Sequence, residues 1–467
     1  MSLERILVNL LNRRSQAPPE KAMGLCLGNA ETLIGRTQKH FSLPTKSTQH
    51  TFISGRTGTG KTTLLLRAMA EHFRNRVPFL FIDFHGHATE CLLSLLATKK
   101  EERQTILFEP WADPVVGWNP LESKGKSPYQ LVQELVGIFH LRLWPDAWGP
   151  RLEELLRMTL LALAETKLTL LEATTFISRP EFRRAVLQKV SLPEIREFWA
   201  LRFERLSPSQ RSLVSETVLN KLSVFQDPTL RYVVGQKQST LDFDRALAGG
   251  QSIIANLSAG SLGGNNYLLA ALLVAKLKAA VYRRHRDAAP YAVFLDEFQE
   301  MVALDALDDY LRSFRKFGCS VYLATQHLQL SPELKAAIFG NCARFISFAA
   351  SATDAAFLGR EFGQPEGNLV AELLPELPTG QAIAKVRGEP AYLLRVRPPS
   401  VKVTPHSVTQ GREICMRLGK TRKEIDAEVG ERLVRFSLPE TSHRSKTLPA
   451  PPVKQKKNEL PEGYADF

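Results

Sequence analysis

The chain has 467 residues, 44% of them hydrophobic, and carries a formal net charge of +13. Its length exceeds the usual size of one domain and allows a large core with appended modules. The excess of positive charge favours a polyanionic partner, either nucleic acid or an anionic membrane surface, although a merely solvated basic surface has the same composition.

The five cysteines are scattered along the sequence, and no CxxC or Cys/His spacing among them suggests a metal site. We interpret them as reduced thiols of a cytoplasmic protein. Lys276 and Lys278 interrupt the best candidate for a membrane-spanning run, at 267–282. We therefore expect no integral membrane span. The expected location is the cytoplasm, with a peripheral position at the inner face of the cell membrane as the alternative.

The first segment, 1–14, has apolar residues at helical spacing and ends in Arg13 and Arg14, which predicts a short basic amphipathic helix. Such a helix can lie on a membrane, or it can dock on its own core or on a neighbour. The polar, proline-containing stretch at 15–21 is typical of a linker.

The segment GRTGTGKT at 55–62 matches the phosphate-loop pattern G-x-x-x-x-G-K-[ST]. A strand-like lead at 51–53 and a helix-like run at 63–73 give this motif the context that it requires. Glycines let backbone N–H groups close around phosphate oxygens, and the start of the helix attracts the same charge. We predict that Lys61 reaches the β- and γ-phosphates of ATP and that Thr62 binds Mg²⁺. The predicted nucleotide-binding residues are Gly55, Arg56, Thr57, Gly58, Thr59, Gly60, Lys61, Thr62 and Thr63.

Beyond the loop the sequence has α/β character, then helical character, then α/β character again. Apolar runs at 79–82 and 105–108 suit buried parallel strands. The stretch 127–230 shows helical periodicity punctuated by prolines, which predicts an all-α insertion. The predicted helices of this insertion are 129–139, 151–164, 181–189 and 212–225. The later predicted elements are strand 252–257, helix 268–284, and strands 292–295, 320–324, 345–348, 381–385 and 391–396.

These patterns predict an α/β fold with a mainly parallel central sheet, an all-α insertion domain and a disordered C-terminal tail. A helical pair at 407–418 and 421–434 precedes the tail, which is rich in Pro, Lys and Ser. The predicted divisions are an N-terminal helix and linker at 1–21, the ATPase core at 22–125 and 236–400, the insertion at 126–235, a helical segment at 401–436 and the tail at 437–467.

The second half of the predicted ATP site is the apolar strand 292–295, which ends in Asp296 and Glu297. Asp296 is predicted to hold Mg²⁺ together with Thr62, and Glu297 to orient and activate the attacking water. A strand ending in Asp-Glu often merely caps the next helix. The presence of a phosphate loop upstream favours the catalytic interpretation.

Two further residues are predicted to act in hydrolysis. Gln326 follows strand 320–324 and is predicted to sense the γ-phosphate, although Thr325-Gln326 also suits a helix cap or a turn. Arg315 is predicted as an arginine finger in preference to Arg312, although basic residues followed by Gly318 also suit a helix C-terminus. Lys316 is an alternative contact for DNA phosphate. The predicted catalytic residues are Glu297, Lys61, Arg315 and Gln326.

Taken in order, these motifs resemble the FtsK–HerA class of P-loop motors, and within it the TraG/TraD-like coupling ATPases of type IV secretion and their HerA-like relatives. The resemblance covers about residues 50–400. The matching segments are GRTGTGKT at 55–62, DFHG at 83–86, GWNPL at 117–121, WGPR at 148–151, NLS at 256–258, LDEFQEM at 295–301, RKFG at 315–318, ATQ at 324–326 and Gly340-Asn341. Phe84 departs from the proline of typical relatives.

The resemblance implies a RecA-like core, a homo-hexameric ring with ATP between subunits, and translocation of DNA. It also implies a secretion-channel or relaxosome protein as a partner. The leading hypothesis is therefore an ATP-hydrolysing DNA translocase or coupling motor for conjugative transfer. The alternatives are a HerA-like DNA-processing or defence motor, an ATP-regulated platform that recruits a protein substrate, and a signalling NTPase that does not bind DNA.

Overall fold

The computed structural model describes residues 24–34, 37–99, 104–123, 125, 127–143, 148–298 and 307–436. The predicted N-terminal helix, the linker and the disordered tail all lie outside these residues.

Within the described residues the chain forms one eleven-stranded mixed sheet, in the order β2-β1-β11-β10-β9-β3-β8-β7-β4-β6-β5. The strands from β9 to β5 in this order run parallel, whereas β2, β1, β11 and β10 are joined by antiparallel pairing. The strands are β1 Leu25–Thr32, β2 Gln38–Leu43, β3 His50–Ser54, β4 Phe79–Asp83, β5 Thr105–Phe108, β6 Ser252–Asn256, β7 Tyr291–Asp296, β8 Cys319–Thr325, β9 Cys342–Ser347, β10 Gln381–Val386 and β11 Ala391–Val396. The predicted mainly parallel α/β sheet is confirmed.

Helices cover both faces of the sheet and fill the connection between β5 and β6. The helices up to β5 are α1 Lys61–Arg74 and α2 His87–Lys99. Those between β5 and β6 are α3 Pro128–Leu143, α4 Pro150–Glu165, α5 Glu172–Ser178, α6 Pro180–Leu187, α7 Pro193–Glu197, α8 Pro208–Leu222, α9 Pro228–Val234 and α10 Phe243–Ala248, with a π-helical turn at Phe198–Phe203. The later helices are α11 Ala259–Leu262, α12 Asn266–Val281, α13 Leu307–Lys316, α14 Pro332–Asn341, α15 Ala352–Phe362, α16 Gly367–Leu373, α17 Pro405–Ile414 and α18 Arg422–Arg435.

The prolines that punctuate the helical stretch begin its helices. Pro150, Pro180, Pro193, Pro208 and Pro228 each occupy the first turn of a helix. Proline fits there because its fixed φ suits the helix and its missing N–H would have no intrahelical partner. These residues therefore explain why many short helices form here rather than a few long ones.

Adjacent residues of the central strands pack on opposite faces of the sheet. Phe52 and Leu80 lie in one hydrophobic cluster, and Ile53 and Phe81 lie in the other. Both faces are thus covered, which is why these strands consist of continuous apolar runs.

The C-terminal helical pair packs against both the sheet and the helical region. In α17, Gly411 lies so close to α2 that a Cβ atom there would come within 2.2 Å of the Leu93 carbonyl oxygen. Helix α17 ends at Ile414, earlier than predicted, because the chain turns to donate a hydrogen bond from the Met416 N–H to the Thr105 carbonyl of β5. In α18, Arg432 forms a buried ion pair with Glu172 of α5.

No helix among the described residues is both long enough and apolar enough to cross a membrane.

Candidate nucleotide-binding site

The predicted ATP-site residues follow the carboxyl ends of neighbouring parallel strands. Ser54 of β3 pairs in register with Thr325 of β8, and Asp296 of β7 pairs with Ala324 of β8. Because parallel strands end at the same edge of a sheet, the phosphate loop, the acidic pair and Gln326 meet there. The structure therefore brings together every predicted site residue except Arg315.

The phosphate loop runs from β3 into α1 and lies against Phe348, which directly follows β9. Gly55 and Gly60 have φ angles of 152° and 122°. A Cβ atom on Gly55 would lie 2.5 Å from the Phe348 Cβ, and one on Gly60 would lie 3.0 Å from the Phe348 ring. Both positions therefore need glycine for conformation and for space. The Arg56 N–H also donates to the Ala349 carbonyl at 2.8 Å, which fixes the loop to β9.

Lys61 is only 7% exposed, and its ammonium group contacts the loop. Its Nζ donates to the carbonyl oxygens of Gly55 at 2.7 Å and Arg56 at 3.1 Å. Burial lowers the pKa of Lys61, while the charges of Asp296 and Glu297 raise it. A cation held in this position suits the phosphates of a nucleotide, since they would supply the charge partners that the loop carbonyls only partly replace.

Thr62, the residue after Lys61, lies close to Asp296. The Thr62 hydroxyl is 3.5 Å from Asp296 Oδ2, and Asp296 Oδ1 is buried without a hydrogen-bond partner among the described residues. Burial and the neighbouring charge of Glu297 raise the pKa of Asp296 to about 6, and the charges of Lys61 and His85 oppose this rise. A divalent cation would satisfy the unpartnered oxygen, so these two side chains fit Mg²⁺.

A hydrogen-bond chain connects three strand ends above this pair. The Thr57 hydroxyl donates to Gln326 Oε1 at 2.7 Å, and Gln326 Nε2 donates to Glu297 Oε1 at 2.6 Å. Glu297 has a φ of 55°, a left-handed conformation that is costly for a non-glycine residue and that concentrates at functional sites. These two hydrogen bonds therefore hold the Glu297 carboxylate next to the phosphate loop.

Asp83 has a structural role in this arrangement. Its Oδ1 accepts from the His85 N–H at 2.9 Å, and its Oδ2 accepts from the N–H and the hydroxyl of Thr89 at 2.7 and 2.8 Å. The carboxylate thus caps the start of α2. Phe84, the departure from the proline of typical relatives, packs on Tyr267 with ring centroids 4.9 Å apart.

The GWNPL segment fastens the helical region to the sheet. The Gly117 N–H donates to the Thr240 hydroxyl at 2.9 Å, the Trp118 N–H donates to the Val233 carbonyl at 3.0 Å, and Asn119 Nδ2 donates to the Leu168 carbonyl at 3.1 Å. A Cβ atom on Gly117 would lie 2.4 Å from the Val233 carbonyl oxygen. These contacts give Gly117, Trp118 and Asn119 a structural role.

Arg315 lies at the other edge of the sheet. The His50 ring at the start of β3 contacts the Leu311 carbonyl of α13 at 2.6 Å, and burial, with the nearby Arg315 charge adding to it, lowers the pKa of His50 to about 4. Arg315 is therefore roughly 15 Å, the length of β3, from its own phosphate loop. Its exposed side chain makes no hydrogen bond or ion pair with any described residue, whereas Arg312 pairs with Asp308.

A mostly parallel sheet with a phosphate loop, an acidic pair and a glutamine at one edge is the RecA-like fold of P-loop ATPases. The same fold is found in solved structures of a conjugative coupling protein and of a VirB4 protein. TrwB with the ATP analogue ADPNP has a TM-score of 0.56 and 16% identity, covering 87% of this chain and 95% of that one. VirB4 of Thermoanaerobacter pseudethanolicus has a TM-score of 0.55 and 13% identity, covering 84% and 100%. TrwB with ADP and Mg²⁺ has a TM-score of 0.53 and 14% identity, covering 83% and 98%.

No protein-family model and no curated protein matches this sequence. The similarity to these structures agrees with the family resemblance of the sequence motifs. Because the sequence identities are only 13–16%, the similarity is one of fold.

Two residues at the site were not predicted. Phe348 supports the loop, and the Gly380 N–H donates to the Thr59 carbonyl at 2.9 Å. Phe348 directly follows β9 and Gly380 directly precedes β10, both far along the chain, and the pairing of β9 with β3 and β10 brings them to the loop.

Proposed function

We propose that this chain binds ATP with Mg²⁺ and hydrolyses the γ-phosphate bond. The observation that carries this proposal is the convergence of Lys61, Thr62, Asp296, Glu297 and Gln326 at one sheet edge. Mg²⁺, when bound by Thr62 and Asp296, would neutralise charge on the phosphate oxygens.

The chain's own groups would then divide the remaining work. The backbone N–H groups of the loop and the Lys61 ammonium bind and orient the phosphates. Glu297 positions the attacking water and accepts its proton, because its carboxylate is held beside the loop by Gln326. Gln326 exchanges its contact with Thr57 or Glu297 for the γ-phosphate, and so reports whether this group is present.

We further propose that hydrolysis drives a ring-shaped, homo-hexameric DNA motor of the type IV secretion kind. The likeness to TrwB, a plasmid coupling protein, and to VirB4 supports this proposal, as does the net charge of +13. A secretion-channel or relaxosome protein would be its partner. The division into a core at 22–125 and 236–400 with an all-α insertion at 126–235 belongs to the same proposal.

The DNA part of the proposal predicts that DNA raises the rate of ATP hydrolysis. Added single- or double-stranded DNA should increase phosphate release, and the increase should shrink steeply from about 50 to 200 mM salt because each phosphate contact releases counterions. Steady-state phosphate release by the purified chain measures this, with Lys61→Ala as the inactive control. An equal rate with and without either DNA would contradict a DNA motor and leave only ATP hydrolysis.

The proposed homo-hexameric ring predicts that Arg315 acts on the ATP of a neighbouring subunit. Arg315→Ala alone should lower turnover by roughly 10³-fold, and Glu297→Gln alone by at least about 100-fold. An equal mixture of the two variants should recover turnover at about a quarter of the subunit interfaces, where an intact Arg315 faces an intact Glu297. Arg312→Ala is the matched control and should be active, because Arg312 already pairs with Asp308. A mixture as inactive as its components would contradict action between subunits.

A further inference from the structure

His50, the first residue of β3, is fully buried at the sheet edge opposite the nucleotide site. Its ring bonds to the backbone of two other elements. The Val321 N–H of β8 donates to Nδ1 at 3.0 Å, and Nε2 lies 2.6 Å from the Leu311 carbonyl oxygen of α13. One side chain therefore connects α13 to the two strands that lead to the phosphate loop and to Gln326.

The two partners of His50 fix the protonation state of its ring. A carbonyl oxygen can only accept a hydrogen bond, so Nε2 carries a proton, and the Val321 N–H can only donate, so Nδ1 carries none. Burial, together with the charges of Arg315 and Arg344, lowers the pKa of His50 to about 4, although the bond to the carbonyl oxygen opposes this fall. The ring is therefore neutral near pH 7 and presents its donor to α13.

The carbonyl that His50 contacts belongs to the turn of α13 that carries Arg315. In an α-helix each N–H donates to the carbonyl four residues earlier, so the Leu311 carbonyl also accepts from the Arg315 N–H. Its second lone pair remains for His50. The Arg315 side chain is exposed and makes no hydrogen bond or ion pair with a described residue. Its position therefore depends on the backbone that His50 holds.

Side-chain hydrogen bonds also hold the chain on either side of this turn. The Tyr282 hydroxyl donates to Asp309 Oδ2 at 2.6 Å near the start of α13. Past the end of the helix, Arg284 Nη1 donates to the Phe317 carbonyl at 2.8 Å. Because His50 acts between these two contacts, its loss should shift the turn without releasing the whole helix.

We propose that His50 is a positioning residue for hydrolysis, since its bond to the Leu311 carbonyl holds α13 where Arg315 meets the ATP of the neighbouring subunit. The inference rests on the proposed action of Arg315 between subunits. A catalytic group that is misplaced by about 1 Å can cost about 100-fold in rate. The exposed Arg315 side chain has no bond within the described part of its own subunit that would correct such an error.

Two substitutions of His50 separate its two hydrogen bonds. The amide of His50→Asn reaches only the position of Nδ1, whereas the amide of His50→Gln reaches that of Nε2 and can still donate to Leu311. His50→Asn should lower kcat at least about tenfold with KM for ATP unchanged. His50→Gln should keep kcat within about threefold of the unchanged chain. Equal losses in both variants, normal kcat in His50→Asn, or a raised KM alone would overturn the proposal.

Mixing of subunits tests whether His50 acts through Arg315. His50→Asn subunits keep Glu297, whereas Glu297→Gln subunits keep His50 and Arg315. An equal mixture should therefore recover turnover at about a quarter of the interfaces, well above the mean of its components. No recovery would overturn the positioning role, because His50 would then act on the site of its own subunit. The mixture of Arg315→Ala with Glu297→Gln, measured in parallel, shows whether the proposed action between subunits fails as well.

His72→Asn is the matched control for the loss of a buried histidine. His72 is 2% exposed, and its Nδ1 lies 2.8 Å from the Ala68 carbonyl of the same helix. Its ring packs on Tyr322, which lies on the opposite face of the sheet from Leu311. This variant should keep kcat within about threefold, and a loss equal to that of His50→Asn would overturn the proposal.

Circular dichroism and thermal unfolding verify that each variant is folded. If His50→Asn does not fold, His50→Gln decides alone. A folded His50→Gln that loses more than about tenfold in kcat would overturn the positioning role, and one that keeps its kcat would support it.

Discussion

Glu297→Gln is expected to lower the rate of ATP hydrolysis by at least about 100-fold while nucleotide binding persists. Glutamine cannot accept the proton of the attacking water, but its carbonyl oxygen can still accept the hydrogen bond from Gln326. The substitution also removes a charge that raises the pKa of Asp296, so Asp296 stays ionised for the metal. The variant should therefore bind ATP and fail to turn it over.

Phosphate release and calorimetric titration with ATP and Mg²⁺ measure the two effects separately. Glu361→Gln is the matched control, since it makes the same change at an exposed position of α15 and should hydrolyse ATP normally. Normal turnover in Glu297→Gln would show that Glu297 does not accept the proton. Loss of ATP binding together with turnover would show instead that Glu297 supports the loop.

The largest expected loss of stability comes from the buried ion pair between Arg432 and Glu172. Arg432 Nε lies 2.9 Å from Glu172 Oε1, and Arg432 Nη2 donates to the Gly235 carbonyl at 2.8 Å. The Glu172 side chain is fully buried. Arg432→Met would leave its carboxylate with Thr169 as its remaining partner. Removing one partner of a buried pair costs about 3–5 kcal/mol of unfolding free energy.

Urea unfolding followed by the combined fluorescence of the five tryptophans measures this loss. Combining Arg432→Met with Glu172→Gln should recover part of it, because no buried charge then lacks a partner. Arg184→Met is the matched control: Arg184 and Glu181 form an exposed pair, and its loss should change stability by less than about 1 kcal/mol. Equal effects of Arg432→Met and Arg184→Met would contradict a contribution from burial.

Much of this site could be predicted from the sequence because its residues lie in short local motifs. The phosphate loop needs glycines at fixed spacing, and the acidic pair directly follows an apolar strand, so Lys61, Thr62, Asp296 and Glu297 are visible without a structure. The continuous apolar runs also identified the parallel strands, since both of their faces are buried.

The remaining features depend on contacts between distant parts of the chain. Strands β1 and β2 were not individually predicted, because their half-exposed residues do not form a continuous apolar run. No local pattern marks Phe348 as the support of the loop, because only the pairing of β9 with β3 places it there. Likewise, the left-handed φ of Glu297 and its bond to Gln326 arise from tertiary structure.

The pairing of β5 with β6 also constrains how the chain folds. These strands are neighbours in the sheet, with Ile106 opposite Ile253, yet the whole helical region lies between them in sequence. Closing so long a loop from an unstructured chain carries an entropic cost of about 4 kcal/mol. The Gly117 N–H donates to the Thr240 hydroxyl, and the Gly117 carbonyl accepts from the N–H groups of Thr240 and Leu241, so these hydrogen bonds join the two ends of the helical region. During synthesis, the backbone of β5 therefore has no strand to pair with until the helical region and β6, which follow it in sequence, have left the ribosome.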